Sequence, residues 1–258
     1  MKTSKILWAM IALTPAAALA AGAFDGTWKV DMSRVHLSSK PYVYVITNNS
    51  YACSSCKPAY TVKADGKDQP VSGHDFDTVA VTVTPTTVTV VQKIKGKPFS
   101  SLKSTVSADG TTVAQEGTYY NGAQPVQVKS SLIRVGAAPP GVSALSGSWR
   151  DSKVESVSDA GITETLGITD TGFTMSSNGQ SYDAKFDGKK YPVQGDATNT
   201  MVTLKKISPT EVVESDYDKR KLVEIVHMTV AKDGKTLHIV DQQLQSGRVI
   251  RYTAIKQP

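Results

Sequence analysis

Cysteine is almost missing from this chain, with two in 258 residues, so a disulfide-stapled mini-domain is excluded. Histidine is nearly as scarce, with four residues, and none stands at a recognisable metal-ligand spacing. No nucleophile elbow and no glycine-rich phosphate loop occur, which removes the commonest hydrolase and nucleotide-binding plans. No apolar stripe persists at helical spacing for three turns, so the chain is not helical. No apolar run reaches the roughly 20 residues needed to cross a bilayer as a helix, so no membrane span is expected. The formal charge of +6 is too mild to imply nucleic acid. With 40% hydrophobic and 20% charged residues, the chain has the makings of a buried core and a soluble surface.

The N-terminus has the layout of a secretory leader. Lys2 and Lys5 are followed by the apolar stretch Ile6 to Leu13, a break at Pro15, and the small-residue site Ala18-Leu19-Ala20. Residues 1–20 are therefore expected to be a cleaved signal peptide of bacterial type. Ala21, and not a lipid-accepting Cys, follows the cut. The expectation is a soluble periplasmic or secreted protein carrying +4 once the two leader lysines are lost.

Behind the leader the chain repeats itself. Tyr60 to Gly73 matches Tyr182 to Gly195 at eight of fourteen positions, an offset of 122. Gly26-Thr27-Trp28 stands over Gly147-Ser148-Trp149, and Asp109-Gly110 over Asp233-Gly234. Between the copies lies Gly136-Ala137-Ala138-Pro139-Pro140-Gly141, a linker by composition. The expected domains are residues 21–137 and 145–258, joined by residues 138–144. Within each copy the period is two, as in Thr78 to Thr84 and Thr87 to Val90. Asp-Gly and Asn-Gly pairs at 65, 109, 121, 178, 187 and 233 mark tight hairpin turns. The pattern predicts an antiparallel meander of eight strands per copy, around 26–31, 42–50, 59–64, 78–84, 87–95, 99–107, 112–120 and 126–135 in the first. Each meander is expected to close into a barrel, with a β-sandwich as the alternative.

Each copy opens on Gly-x-Trp, at Trp28 and Trp149, and ends on a strand carrying a guanidinium, at Arg134 and Arg251. This resembles the calycin arrangement of lipocalins and fatty-acid-binding proteins. The resemblance implies a first-strand Trp at the barrel floor covered by a last-strand Arg, pairing Trp28 with Arg134 and Trp149 with Arg251. The stretch Phe24 to Val30, the segment Tyr51-x-Cys53-Ser54-Ser55-Cys56 and the pattern Asp-Gly-Lys-x-x-Pro-Val-x-Gly resemble a group of uncharacterised exported bacterial proteins. That likeness implies lipocalin-like β domains and brings no activity with it.

Cys53 and Cys56 are expected to form a local structural disulfide in an oxidising compartment. A haem motif would need His where Lys57 stands, a zinc site lacks ligands, and no helix follows to support a redox pair. The second copy has Met175 and Asn178 at these positions, so the pair is dispensable for the fold.

Residues 21–140 hold 12 basic against 8 acidic side chains, and residues 141–258 hold 15 against 15. The excess includes Lys93, Lys95 and Lys97, expected to alternate along one strand as a solvated face or as a surface for an anionic envelope component. Val90, Gln92 and Ile94 align with Glu214, Asp216 and Asp218. Because Lys219-Arg220-Lys221 follows, these carboxylates are expected to face outward on a mixed-charge hairpin. His227 and His238 fall on neighbouring strands, where Glu224 or Asp241 could orient them, but their first-copy counterparts are not histidine. No catalytic residue, metal or cofactor is expected. The favoured function is a carrier of a hydrophobic or amphipathic small molecule inside a barrel; the alternative is a non-catalytic interaction module with filled barrels.

Overall fold

A computed structural model describes residues 22–47 and 49–258. The expected leader, residues 1–20, lies outside the described residues. The chain is all-β, as the period of two requires. Its strands are β1 (Gly26–Val30), β2 (Tyr42–Thr47), β3 (Ser50–Cys53), β4 (Tyr60–Lys63), β5 (Gln69–Pro70), β6 (Thr78–Val83) and β7 (Thr87–Ile94). There follow β8 (Lys97–Val106), β9 (Thr112–Tyr119), β10 (Val126–Val135), β11 (Gly147–Val157), β12 (Thr163–Ile168), β13 (Gly172–Ser177) and β14 (Gln180–Lys185). The last are β15 (Tyr191–Pro192), β16 (Met201–Ser208), β17 (Glu211–Asp218), β18 (Lys221–Val230), β19 (Thr236–Gln243) and β20 (Arg248–Lys256).

These strands form two nearly closed antiparallel barrels of ten strands each, not eight. The two extra strands per barrel have simple causes. The stretch expected as one strand over 42–50 is folded back after Thr47 into the β2–β3 hairpin, with Thr47 opposite Ser50. The proline-bearing pairs Gln69–Pro70 and Tyr191–Pro192 each add a two-residue edge strand, where the missing N–H is tolerated. The open seams are bridged by Asp65 to Thr82 in one barrel and Ser181 to Gln194 in the other.

The barrels do not coincide with the repeats. The first barrel is the continuous meander β2 to β11, in which β11, the Trp149 strand of the second repeat, pairs with both β10 and β2. The second barrel runs from β12 to β20 and is completed by β1, which pairs with β12 and β20. The division at residues 138–144 into two self-contained domains is therefore corrected: each repeat lends its tryptophan strand to the other barrel. The two connections are equally long, eleven residues each: residues 136–146 join β10 to β11 within the first barrel, whereas residues 31–41 carry the chain from β1 of the second barrel to β2 of the first, with His36 bridged to Arg251 on the way.

Two separate cores result. Phe24, Trp28, Phe173, Leu237 and Ala254 belong to the second barrel, and Ile46, Val81, Val113, Leu132 and Trp149 to the first. Both indoles are fully buried at the barrel floors, and each Nε1–H donates to the carbonyl four residues back, Phe24 O at 2.8 Å and Leu145 O at 2.9 Å. The exchange changes the cation partners. Arg134 lies over Trp149 at 4.0 Å, and Lys256 over Trp28 at 5.4 Å. The expected pairings Trp28–Arg134 and Trp149–Arg251 are both corrected. Lys256 is the counterpart of Arg134 at the repeat offset of 122, and Arg251, five residues earlier, sits outside and exposed. The Gly of Gly-x-Trp now has a reason. Gly26 and Gly147 have φ of +130° and +120°, and a Cβ on either would lie 2.8 Å from the lysine or arginine that covers the ring.

Candidate site in the first barrel and the acidic lumen of the second

Inward positions near the mouth of the first barrel are tyrosines and small neutral residues. Tyr42 and Tyr44 share a face of β2, Tyr51 comes from β3 and Tyr60 from β4, because successive same-face residues fall every second position. Their rings form a continuous wall, with centroid distances of 6.3, 5.8 and 6.2 Å along the series. His74 and Phe76 extend it, stacked on each other at 4.8 Å and edge-on to Tyr60. This wall bounds a cavity of about 800 Å³, with Val90, Gln92, Ser100 and Leu102 on the opposite side. Ser100 Oγ donates to Gln92 Oε1 at 2.6 Å, so this polar pair is satisfied within the wall. Below it a void of about 30 Å³ reaches Trp149.

Burial pushes the hydroxyls of Tyr42, Tyr44 and Tyr51 far above their ordinary value, and that of Tyr60 to about 12, so all four stay neutral donors. Burial also lowers the His74 imidazole, which keeps it uncharged, and its Nε2 is buried without a partner. The cavity mouth carries the charge. Arg248 of β20 pairs with Asp151 of β11, donates to Lys40 O at 2.8 Å and covers the Tyr42 ring at 4.0 Å. Burial raises the Asp151 carboxyl, and Arg248 opposes that rise. Val223, Glu224, Gln243 and Ser246 of the second barrel complete the rim, so the cavity is a product of both barrels. Cys53 and Cys56 are disulfide-bonded as expected and also line it. The ring they close pins the 54–59 loop beside the mouth, where Ser55 Oγ accepts from Val43 N at 2.9 Å.

The second copy's counterpart of that turn, Asn178-Gly179, serves another purpose. Asn178 takes φ +46° and Gly179 +79°, a tight hairpin whose tip docks on the β9–β10 loop. Ala123 N donates to Asn178 O at 2.7 Å, Gln124 N to Asn178 Oδ1 at 2.9 Å, and Asn121 Nδ2 to Asp196 Oδ1 at 2.8 Å.

The lumen of the second barrel is acidic, and this overturns the outward placement of the carboxylates. Glu214 and Asp216 share the inward face of β17 with the buried Val212; Asp218 continues the alternation to the hairpin end, close to Asp75, whose carboxyl is raised by burial and then by Asp218. Glu224 on β18 and Asp241 on β19 share inward faces with Met228 and Ile239, and Glu164 on β12 lies close to Glu214. The lysine-arginine run expected to draw the strand outward lies in the turn and beyond it, so it does not govern the strand's face. Among the described residues no ion pair reaches any of these six. Tyr182 Oη donates to Glu214 Oε2. Burial, then the neighbouring Glu214, lifts Asp216 to about 9; burial, then Asp241, lifts Glu224 to about 9; burial, then Glu214, lifts Glu164 to about 7. Glu214 is raised as well, burial outweighing the hydrogen bonds that pull it down.

The same alternation separates His227 and His238 from Glu224 and Asp241. The histidines occupy the outer faces of β18 and β19, so neither carboxyl can orient them. The lysine stripe is also corrected. Lys93 is bound to Asp68 at 2.8 Å, Lys95 sits in the β7–β8 turn at φ +51° next to Gly96, and Lys97 begins the returning strand opposite Ile94. The three do not project from one strand face.

Against protein-family models, curated proteins and solved structures, the chain finds no match. The geometry alone speaks for its use. Sequence reasoning missed the tyrosine wall, although the offset of 122 that aligns the repeats sets Tyr42 over Glu164 and Tyr44 over Leu166. It also missed Glu164, Glu224 and Asp241 as lumen residues, because inside and outside of a strand cannot be told apart until the register is known.

Proposed function

We propose that this protein is an exported, lipocalin-like carrier whose first barrel takes up a hydrophobic or amphipathic small molecule. The observation that carries the reading is the 800 Å³ aromatic-walled cavity, a size common for small-molecule sites. Four neutral phenols and the Gln92–Ser100 pair suit a ligand with an extended apolar or planar body and a few neutral polar groups. The Arg248–Asp151 pair at the rim suits a polar end near solvent. The rival reading, a filled module docking an anionic envelope component through Lys93, Lys95 and Lys97, has less support, since Lys93 is already engaged and the first barrel is not filled.

The test is extraction of natively purified mature protein with organic solvent, followed by mass analysis, for wild type and for Leu102→Trp, which fills the lumen. A compound recovered from the wild type and lost from the variant is expected. Repeated preparations from the native host with nothing bound, together with lipophilic probes that leave Trp149 fluorescence unchanged, would refute the carrier.

A further inference from the structure

The acidic lumen of the second barrel has no role in that reading, and it is chemically unfinished. Asp216 stands directly opposite Glu224 across β17 and β18, a like-charge pair that a sheet disfavours. One register step deeper, Glu214, Val226 and Asp241 lie across three adjacent strands. The two tiers are separated by two residues, about 7 Å along the strands. Asp216 Oδ1 and Asp241 Oδ1 are buried with no hydrogen-bond partner, and Glu164 is buried close to Glu214. Buried carboxyls are kept where a donor or a counter-charge meets them, and among the described residues no cation pairs with these.

The first barrel shows that the fold does not require this. At the same register positions it places Val90, Gln92, Ser100 and Gly117, with Gln92 and Ser100 hydrogen-bonded to each other. Among the described residues, no three acidic or histidine side chains surround a single metal-sized point. The carboxyls are instead strung along the lumen with Val226 and Tyr252 between and beside them. Glu224 also lines the cavity between the barrels.

We infer that the second barrel is a separate site for a linear organic polyamine, with ammonium groups seated at the two carboxyl tiers and the alkyl spacer against Val226 and Tyr252. Each ammonium supplies several donors to oxygens such as Asp216 Oδ1 and Asp241 Oδ1 that have none, and the short spacers of such amines match the distance between tiers. At neutral pH Asp216 and Glu224 hold protons, so entry of the amine releases protons to the buffer.

Titration calorimetry of the mature chain with spermidine, in two buffers of different ionisation enthalpy, tests this. The expected result is one bound spermidine with proton release, affinity reduced at least tenfold in Asp216→Asn/Glu224→Gln and in Glu164→Gln, and affinity unchanged in Leu102→Trp. The carrier reading and this one therefore fail separately. No binding between pH 5 and 9 would overturn the inference. So would spermidine binding undiminished in a folded carboxyl variant, or calcium ions displacing spermidine from the same carboxyls with higher affinity.

Discussion

The two barrels share a strand plan, a floor tryptophan and a covering cation, yet above the floor they are chemical opposites. Tyr42, Val90, Gln92, Ser100 and Gly117 of the first stand where Glu164, Glu214, Asp216, Glu224 and Asp241 stand in the second. The apolar tier around Trp28 and Trp149 carries the fold; the tiers above it are free to vary. A duplicated domain thus held its lower half constant and changed the upper half, from neutral and aromatic in one copy to clustered carboxyls without a counter-charge among the described residues in the other.

The largest test of the comparison concerns whether the barrels exist independently. Residues 22–140 and 141–258, expressed separately, should each fail to give a cooperative β-sheet unfolding transition, because each lacks its floor tryptophan strand, and mixing them should restore the native near-UV signal. A permuted chain beginning at Tyr42 and ending with β1 linked after Pro258 should fold. A cooperative monomer from residues 22–140 alone would dissolve the strand exchange.

Next come the floors. Trp28→Ala and Trp149→Ala should each cost roughly 3–5 kcal/mol in denaturant unfolding, and by similar amounts, since the two rings are equally buried. Unequal losses would mean that Arg134 and Lys256 do not play equivalent parts.

The contrast in the lumens should appear as a pH dependence belonging to the second barrel. Asp216, Glu224 and Glu164 are held above their unfolded values, so the folded state binds protons that the unfolded state has lost. Their favourable contribution is complete below about pH 4 and disappears as pH rises through about 7 for Glu164 and about 9 for Asp216 and Glu224. Asp216→Asn/Glu224→Gln should flatten that slope and raise stability at pH 9 by about 1.4 kcal/mol or more. An unaltered slope would place the effect elsewhere.

The smallest effect is expected at the disulfide. A four-residue ring constrains little of the unfolded chain, so Cys53→Ser/Cys56→Ser should cost about 2 kcal/mol at most and leave the second barrel untouched. The difference should show instead in ligand retention, because the 54–59 loop borders the first cavity.

Much of this was legible beforehand. Strand positions followed from alternation in segments such as Thr112–Tyr119, whose inward Val113 and Gln115 alternate with exposed neighbours. Hairpins followed from the Asn-Gly and Asp-Gly pairs. The Cys53–Cys56 bond followed from proximity in the sequence. The cations over the tryptophans were misassigned because a basic residue on the last strand is visible in the chain, but which of Arg251 and Lys256 reaches the floor depends on register. The face of β17 is not legible in the chain, because Lys219-Arg220-Lys221 suggests an exposed strand while lying in the turn after Asp218 and at the start of β18, where it does not govern which way Glu214 and Asp216 point.

By itself, then, the amino-acid order determined the strands, the turns, the duplication and the barrel class, all of which rest on local periodicity and local backbone preference. Only the tertiary structure decided which barrel each tryptophan strand completes, which face of β17 looks inward, and that a tyrosine-walled cavity in one barrel is matched by an acidic lumen in the other. The reason is physical: pairing partners and strand faces are set by long-range register, which no local stretch of sequence carries, and a duplicated motif gives each tryptophan strand more than one place to pair.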